Sequence, residues 1–336
     1  MNREARDNAG GGGEFSLTDA QIEAFRNETG EPIVINYGTV YAKTWDYSDL
    51  AFQDGSQQNY DVSISGATDK ITYRSSFAFL KEEGLLAIGS DDNQRLNSRV
   101  NLEYRPVAGL NINTRLAISR QYTRTPNQNG LGQILRIFPF MAPYTEADPT
   151  KYAMTQGFQS PLQRHDQGGT NTSIDTRIES NVKIDYEFLD KFTLTGQIGS
   201  NLRFREFNDF ARTFIMYNEV TGLEKGRGNS PNRGQESFGK EEYTTLIAYL
   251  NYSKTFADIH NLSLTAGASH EQFERGGFWA ARTGFPSNDF FSLNLGDSEN
   301  QTNGVLNDAT WTIESLFGRA SYILHNKYIF DLNMRY

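Results

Sequence analysis

Ile178-Glu179-Ser180-Asn181-Val182-Lys183-Ile184-Asp185-Tyr186 is the stretch on which the reading of this chain turns. Successive side chains of a strand point to opposite faces. Ile178, Val182, Ile184 and Tyr186 therefore share one face, and Glu179, Asn181, Lys183 and Asp185 share the other. Upstream, Leu110, Ile112, Leu116, Ile118 and Tyr122 oppose Asn111, Asn113, Arg115, Ser119 and Gln121, with Arg120 an exception on the apolar side. Downstream, Tyr328, Phe330, Leu332, Met334 and Tyr336 oppose Asp331, Asn333 and Arg335.

Extending this pattern in both directions predicts ten strands, over 58–66, 70–80, 95–105, 110–123, 175–187, 192–205, 240–254, 262–271, 315–324 and 328–336. The connections between them alternate. Residues 67–69, 106–109, 188–191, 255–261 and 325–327 are short links, whereas 81–94, 124–174, 206–239 and 272–314 are long. Tight turns at one rim and long loops at the other are the pattern of an outer-membrane β-barrel. A soluble β-rich module, such as a glycan-binding sandwich, shows the same alternation with its apolar face turned inward. Three features favour the barrel. The strands run about 9–15 residues against the ~5–6 usual in soluble sheets, and a tilted spanning strand needs ~9–11. Tyr104, Tyr186, Tyr252 and Tyr322 each precede a tight turn, as an interfacial aromatic girdle requires. Loops as long as 124–174 are uncommon inside compact soluble domains.

Composition narrows the classes further. The 336 residues are 37% apolar, with 17 Tyr and 23 Phe, and no run approaches the ~18 apolar residues of a membrane-spanning helix. Cysteine is absent, which removes disulfides and thiolate metal sites. A net charge of −9 argues against nucleic-acid binding. The start, Met1 to Asp7, lacks the apolar core of a secretory signal. The run Gly10–Gly13 lacks the Lys-Ser/Thr of a phosphate loop and reads as a linker, followed by a short helix over 16–27 capped by Ser16 or Thr18. The chain stops inside a strand at Tyr336, and a membrane sheet must close on itself. These features predict a lead-in segment over 1–56 and part of a barrel over 57–336, within a larger protein.

Two stretches carry a family resemblance. Gln58-Asn59-Tyr60-Asp61-Val62-Ser63-Ile64-Ser65-Gly66, with Thr68-Asp69-Lys70-Ile71-Thr72-Tyr73 behind it, resembles the first hairpin line of SusC/RagA-type TonB-linked outer-membrane proteins. The following Phe79-Leu80-Lys81-Glu82-Glu83-Gly84, Ser90 and Arg95 to Asn101 continue that line. Ser315 to Tyr322, Lys327-Tyr328 and Asn333 to Tyr336 resemble a later line of the same family. Ala67 stands where the family carries a second glycine. The resemblance implies an all-β fold: about ten strands of an antiparallel up-and-down transmembrane barrel of about 22. It also implies a signal, a plug domain and the remaining strands outside this stretch. By the same resemblance the whole protein imports oligosaccharides or peptides across the outer membrane of a Gram-negative, Bacteroidota-type bacterium. Its partners are then outer-membrane lipid, a SusD-like surface lipoprotein, and TonB acting through upstream residues. No bond chemistry and no cofactor are implied.

Residues suited to catalysis or metal binding are scattered. His260 and His325 fall in expected turns, His165 lies in the loop 124–174 without a second ligand at metal spacing, and His270-Glu271 forms an isolated pair at a strand end. Glu224 to Arg233 reads as loop. Candidates for substrate or partner contact are Phe138, Phe140 and Tyr144, in a segment with two prolines, and Trp279 and Trp311 in the connection 272–314. Each suits either a large amphipathic contact surface or packing of the loop's own core. Arg115, Arg203 and Arg319 are expected on the polar face, balancing acidic side chains.

Overall fold

A computed structural model describes residues 17–35, 38–127, 131–155 and 157–336; Ser16, the start and the Gly10–Gly13 run lie outside them. In chain order the elements are α1 (Asp19–Arg26), β1 (Pro32–Ile35), β2 (Gly38–Tyr41), α2 (Tyr47–Ala51), β3 (Ser56–Ala67), β4 (Ile71–Glu83), β5 (Asp92–Tyr104) and β6 (Leu110–Pro126). Next come α3 (Leu131–Ile134), β7 (Ala153–Thr155), β8 (Phe158–Gln159), α4 (Pro161–Gln167), β9 (Gly169–Phe188), β10 (Phe192–Ala211), β11 (Phe214–Asn218) and β12 (Glu224–Gly228). The chain continues through β13 (Arg233–Phe256), β14 (His260–Thr283), β15 (Thr302–Val305), β16 (Ala309–Leu324) and β17 (Tyr328–Arg335).

All ten predicted strands are present and form one antiparallel sheet in the order β17-β16-β14-β13-β10-β9-β6-β5-β4-β3, with β15 paired to β14. Strands β3 and β17 are its edges. Three tight hairpins place consecutive residues at positive φ: Leu189-Asp190, Ala257-Asp258 and His325-Asn326. That geometry matches the right-handed twist of the paired strands, and Asp and Asn are among the residues that tolerate it best.

The register confirms the face assignment. Ile112, Ile184, Gly196, Ala248, Ala268 and Leu316 stand side by side across six strands, so one row of apolar and small residues crosses the sheet. Ile184, Leu194, Ile198 and Leu332 on this face are exposed. A soluble sandwich would cover such residues. Tyr104, Tyr186, Tyr252 and Tyr322 all lie on it, next to the tight turns. Rings make a nearly continuous row there: Tyr186–Phe188, Phe188–Phe192 and Phe192–Tyr252 lie 5.9, 5.6 and 4.9 Å apart. Phe256–His260, His260–Tyr322 and Tyr322–Phe330 follow at 5.0, 5.9 and 6.2 Å. From Phe192 up to Ser200, which pairs with Thr244, the apolar face of β10 spans about eight residues, or roughly 20 Å along the normal of a tilted barrel wall, and Leu202 and Phe204 continue it into the outer boundary.

Strands outrun their predicted ends on the long-connection side. β9 begins at Gly169, β10 reaches Ala211, β13 begins at Arg233, β14 reaches Thr283 and β16 begins at Ala309. Above the apolar band many outward positions are polar (Thr244, Glu242 and Lys240 on β13, Gln272 and Glu274 on β14, Glu314 and Thr312 on β16), and Phe204, Phe238 and Phe278 form an outward aromatic row there with neighbouring rings 6.2 Å apart. With both faces wetted, the two-fold hydropathy signal disappears while the hydrogen-bonded ladder continues. Several expectations change accordingly. Trp279 and Trp311 are on β14 and β16, not in a loop; His270-Glu271 lies mid-strand; Glu224–Gly228 is β12, paired with β11, and Arg233 opens β13.

The described lead-in residues are folded. Thr18 caps α1 reciprocally with Gln21, so the expected cap and helix are present. Tyr47 and Ala51 of α2 pack with Ile134, Tyr152 and Leu162 from the connection after β6. Ala24, Ile33, Val40 and Ala42 form a second small core against which Phe25 and Phe140 pack.

Candidate functional site

The polar face of the sheet carries the chemistry. A cavity of about 980 Å³ lies against β3 to β9, lined by Arg74, Arg99, Asn101, Asn113, Arg115 and Asn181 among others. A second, of about 540 Å³, is lined by Arg95, Asn97, Ser119, Gln121, Asp175 and Arg177 among others. Asn93 accepts from Gln121 at 2.9 Å and from Thr123 at 3.1 Å. Arg203 grips Asp175 through Nε at 2.9 Å and through its Nη2, and reaches Glu241 at 3.7 Å. Arg319 pairs with Asp331 at 3.1 Å. Arg203 and Arg319 thus balance acids as expected, whereas Arg115 has no ion pair among the described residues. This part of the wall is built of amides, hydroxyls and paired charges.

One part of this wall differs. Tyr243, Phe273 and Trp311 face each other across β13, β14 and β16. Their rings are contiguous, with Tyr243–Trp311 at 5.8 Å and Phe273–Trp311 at 5.7 Å. Beside them Glu271 accepts from the Tyr243 hydroxyl at 2.6 Å and from Arg335 Nη2 at 2.9 Å. The sequence reading singled out Trp311 but not its neighbours. A second inward aromatic pair, Tyr249 and Phe317 at 6.4 Å, lies lower on the same face.

The other aromatic candidates are placed differently. Trp279 is half-buried, and Gly304 of β15 lies so close over its indole that a Cβ there would sit 2.8 Å from Nε1. Phe138 stacks on Phe140 at 5.3 Å, Phe140 meets Phe25 at 5.4 Å, and Tyr144 meets Tyr152 at 5.2 Å. The Pro139 carbonyl accepts from the Trp45 amide at 2.8 Å, and the Met141 carbonyl accepts from the Tyr47 hydroxyl at 3.1 Å. This segment is therefore stitched to the lead-in. Its aromatics pack the connection's own core.

Burial tunes titratable groups in this region. His165 lies in α4 with 2% exposure, and neither ring nitrogen has a partner among the described residues. Burial pulls its pKa below the usual histidine value, against the opposing pull of Asp91. Burial pushes the Glu219 carboxyl up, opposed by a hydrogen bond from Thr155. No cluster of three or more His, Asp or Glu side chains fit to hold a metal occurs among the described residues.

No family model matches the chain. It is 25% identical over 304 residues to the TonB-dependent receptor P3 of Formosa agariphila, covering 86% of this chain and 29% of the relative. It is 24% identical over 358 residues to the TonB-dependent receptor SusC of Bacteroides thetaiotaomicron, covering 95% of this chain and 32% of SusC. The fold matches a chain of the RagAB peptide importer in its 'closed-closed' state with a TM-score of 0.72 at 16% identity, over 91% of this chain and 33% of that one. The chain is similar in sequence and fold to a segment of SusC/RagA-type TonB-dependent receptors. The 'open-open' RagAB structure gives a TM-score of 0.72 at 17% identity, over 95% of this chain and 36% of that one. The chain thus spans about a third of the length of the curated relatives it matches. Its two resemblance lines fall on the β3–β4 and β16–β17 hairpins, and the relatives named are receptors and an importer.

Proposed function

We propose that the whole protein imports oligosaccharides or peptides across the outer membrane of a Bacteroidota-type bacterium, in concert with a SusD-like surface lipoprotein. Energy reaches it through TonB, by way of residues upstream of this stretch. Residues 57–336 supply part of the barrel wall and 1–56 lead into it. The observation that carries this reading is the ten-strand sheet itself, apolar outside and hydrophilic inside, which shares its fold with a chain of the RagAB importer over nine-tenths of its length. The cavities against the polar face support passage of a hydrated solute. Long connections on one rim give a surface on which a lipoprotein docks, and the module held together by Phe138, Phe140 and Tyr144 belongs to it. Trp311, with its open ring, meets solute; Trp279 steadies the rim beneath β15.

The test is uptake of defined oligosaccharides and peptides by cells that carry the intact gene, its in-frame deletion, or a tonB deletion. Import lost in both deletions supports the reading. Uptake that persists without TonB contradicts it.

A further inference from the structure

Arg120 stands on the lipid-facing side of β6, where the alternation calls for an apolar residue. Its row runs Leu96, Arg120, Thr176, Phe204 and Lys240 across β5, β6, β9, β10 and β13. The row of Leu116, Ser180, Ser200 and Thr244, where the apolar band ends on β13, lies four residues lower. On a tilted wall four residues rise about 10 Å, which puts Arg120 at headgroup depth. Beneath it the wall stays aliphatic: Ile118 and Ile178 face each other one row down, and Leu96 flanks the arginine. Ile118 and Leu96 are 38% and 39% exposed. Thr176 is its other neighbour, and Tyr122 follows it on the same face of β6. The remaining outward cations of β4 to β13 above the band each hold a carboxylate: Lys81 holds Glu83 at 2.8 Å, Arg124 holds Asp92 at 2.6 Å and Lys240 holds Glu242 at 2.7 Å. Arg120 is exposed and has no ion pair among the described residues.

We propose that Arg120, with Leu96 beside it and Ile118 and Ile178 beneath, forms a site for one anionic lipid, whose phosphate Arg120 binds while its acyl chain lies on the aliphatic residues. The proposal rests on the lipid-facing reading of this wall. A guanidinium presents its donors in a planar fork that matches a phosphate, and such charge-assisted pairs are stronger than neutral hydrogen bonds. At the edge of the bilayer Arg120 lacks the carboxylate that serves Lys81, Arg124 and Lys240, and a headgroup phosphate is the anion present at that depth. A zwitterionic headgroup brings its own ammonium to the phosphate and so gains less from the arginine. The aliphatic floor below the cation fits a chain joined to that phosphate, a feature that a small free anion leaves unused.

The test uses the intact receptor reconstituted in vesicles of phosphatidylcholine and phosphatidylglycerol. A fluorophore on Val182→Cys, four residues below Ile178 on the outward face of β9, reports quenching by acyl-brominated forms of either lipid. The same label on Ala266→Cys, on the outward face of β14, reports the wall away from Arg120. The anionic lipid is favoured over the neutral one about fivefold at 182 and not at 266; fivefold is the roughly 1 kcal/mol that one basic residue contributes beside an anionic headgroup. Arg120→Gln abolishes the preference, and Arg120→Lys retains part of it. Inorganic phosphate, compared with chloride at equal ionic strength, leaves it in place. Equal quenching by the two lipids at 182 would overturn the site. So would a preference that persists in Arg120→Gln, or one that inorganic phosphate removes. Quenching by the neutral lipid at 182, equal in all variants, shows that each is inserted. Its absence would remove the lipid-facing reading itself, a failure distinct from loss of the headgroup preference.

Discussion

The lower and upper parts of the same strands obey opposite rules. Across the apolar band, β9, β10 and β13 turn Ile184, Ile198 and Leu250 outward and Lys183, Gln197 and Asn251 inward. Eight and ten residues above Leu250 on the same strand, Glu242 and Lys240 point outward with a 2.7 Å ion pair between them, and Tyr243 points inward. The backbone ladder is continuous through both regions. The difference therefore teaches that hydrogen bonding sets where a strand exists, while the medium on each side sets what it displays. Lipid on one side and water on the other impose alternation. Above the bilayer that constraint is gone, and the inward face is free to carry a binding surface.

The contrast breaks most visibly under charge insertion. Ile184→Arg places a cation in hydrocarbon and should cost about 2–4 kcal/mol in the intact receptor, seen as lost assembly into the outer membrane. Thr312→Arg makes the same chemical change on the same face above the band and should stay within about 0.5 kcal/mol. Equal damage at both positions would erase the boundary drawn here.

A smaller effect probes the module beyond the strands. Thr18→Ala removes a reciprocal cap and should lower protection of α1 by about 1 kcal/mol in hydrogen exchange, with the barrel strands unaffected. Loss of protection spreading into β3 and β4 would mean that the lead-in and the sheet fold as one unit.

The subtlest expectation concerns pH. Burial holds the folded pKa of His165 below its unfolded value of about 6.5. Between the two values the unfolded chain binds more protons, so stability rises with pH there and falls as the medium is acidified. Protection factors in α4, corrected for the intrinsic exchange rate at each pH, should fall below about pH 6.5, and His165→Gln should flatten that dependence. Glu219 works in the opposite sense. Its raised pKa means that the folded state holds the proton more tightly, so its unfavourable burial is relieved on acidification and grows as pH rises through the folded value. An unaltered profile in His165→Gln would assign the response to other groups.

Legibility in the sequence followed the same divide. Wherever lipid faced one side, period-two alternation located the strand, its faces and its girdle tyrosine, as in 178–186 and 110–122. The tight turns were legible because they are short. Above the band, Glu206 to Ala211 and Arg233 to Glu236 mix polar and aromatic side chains without a period, and they read as loop although their backbones pair residue for residue. Trp279 and Trp311 were noticed as aromatic, but their elements could not be read from that stretch. The partnership of Tyr243, Phe273 and Glu271 required register between strands, which no single strand displays. The fold of 131–167 onto the lead-in was equally hidden, since Tyr47 and Leu162 lie far apart in sequence and meet only through packing.

The central claim is a lipid-facing band that ends near Thr244. It is tested most directly by placing single cysteines along β13 at 250, 248, 246, 244, 242 and 240 in the intact receptor. Each is labelled with a fluorophore, and quenching by brominated lipid is read in reconstituted membranes. Strong quenching is expected from 250 to 246, a fall at 244 and none at 242 or 240, with the inward positions 247 and 249 unquenched throughout. Quenching at 247 and 249 equal to that at 246 and 248, or uniform along the even series, would contradict it.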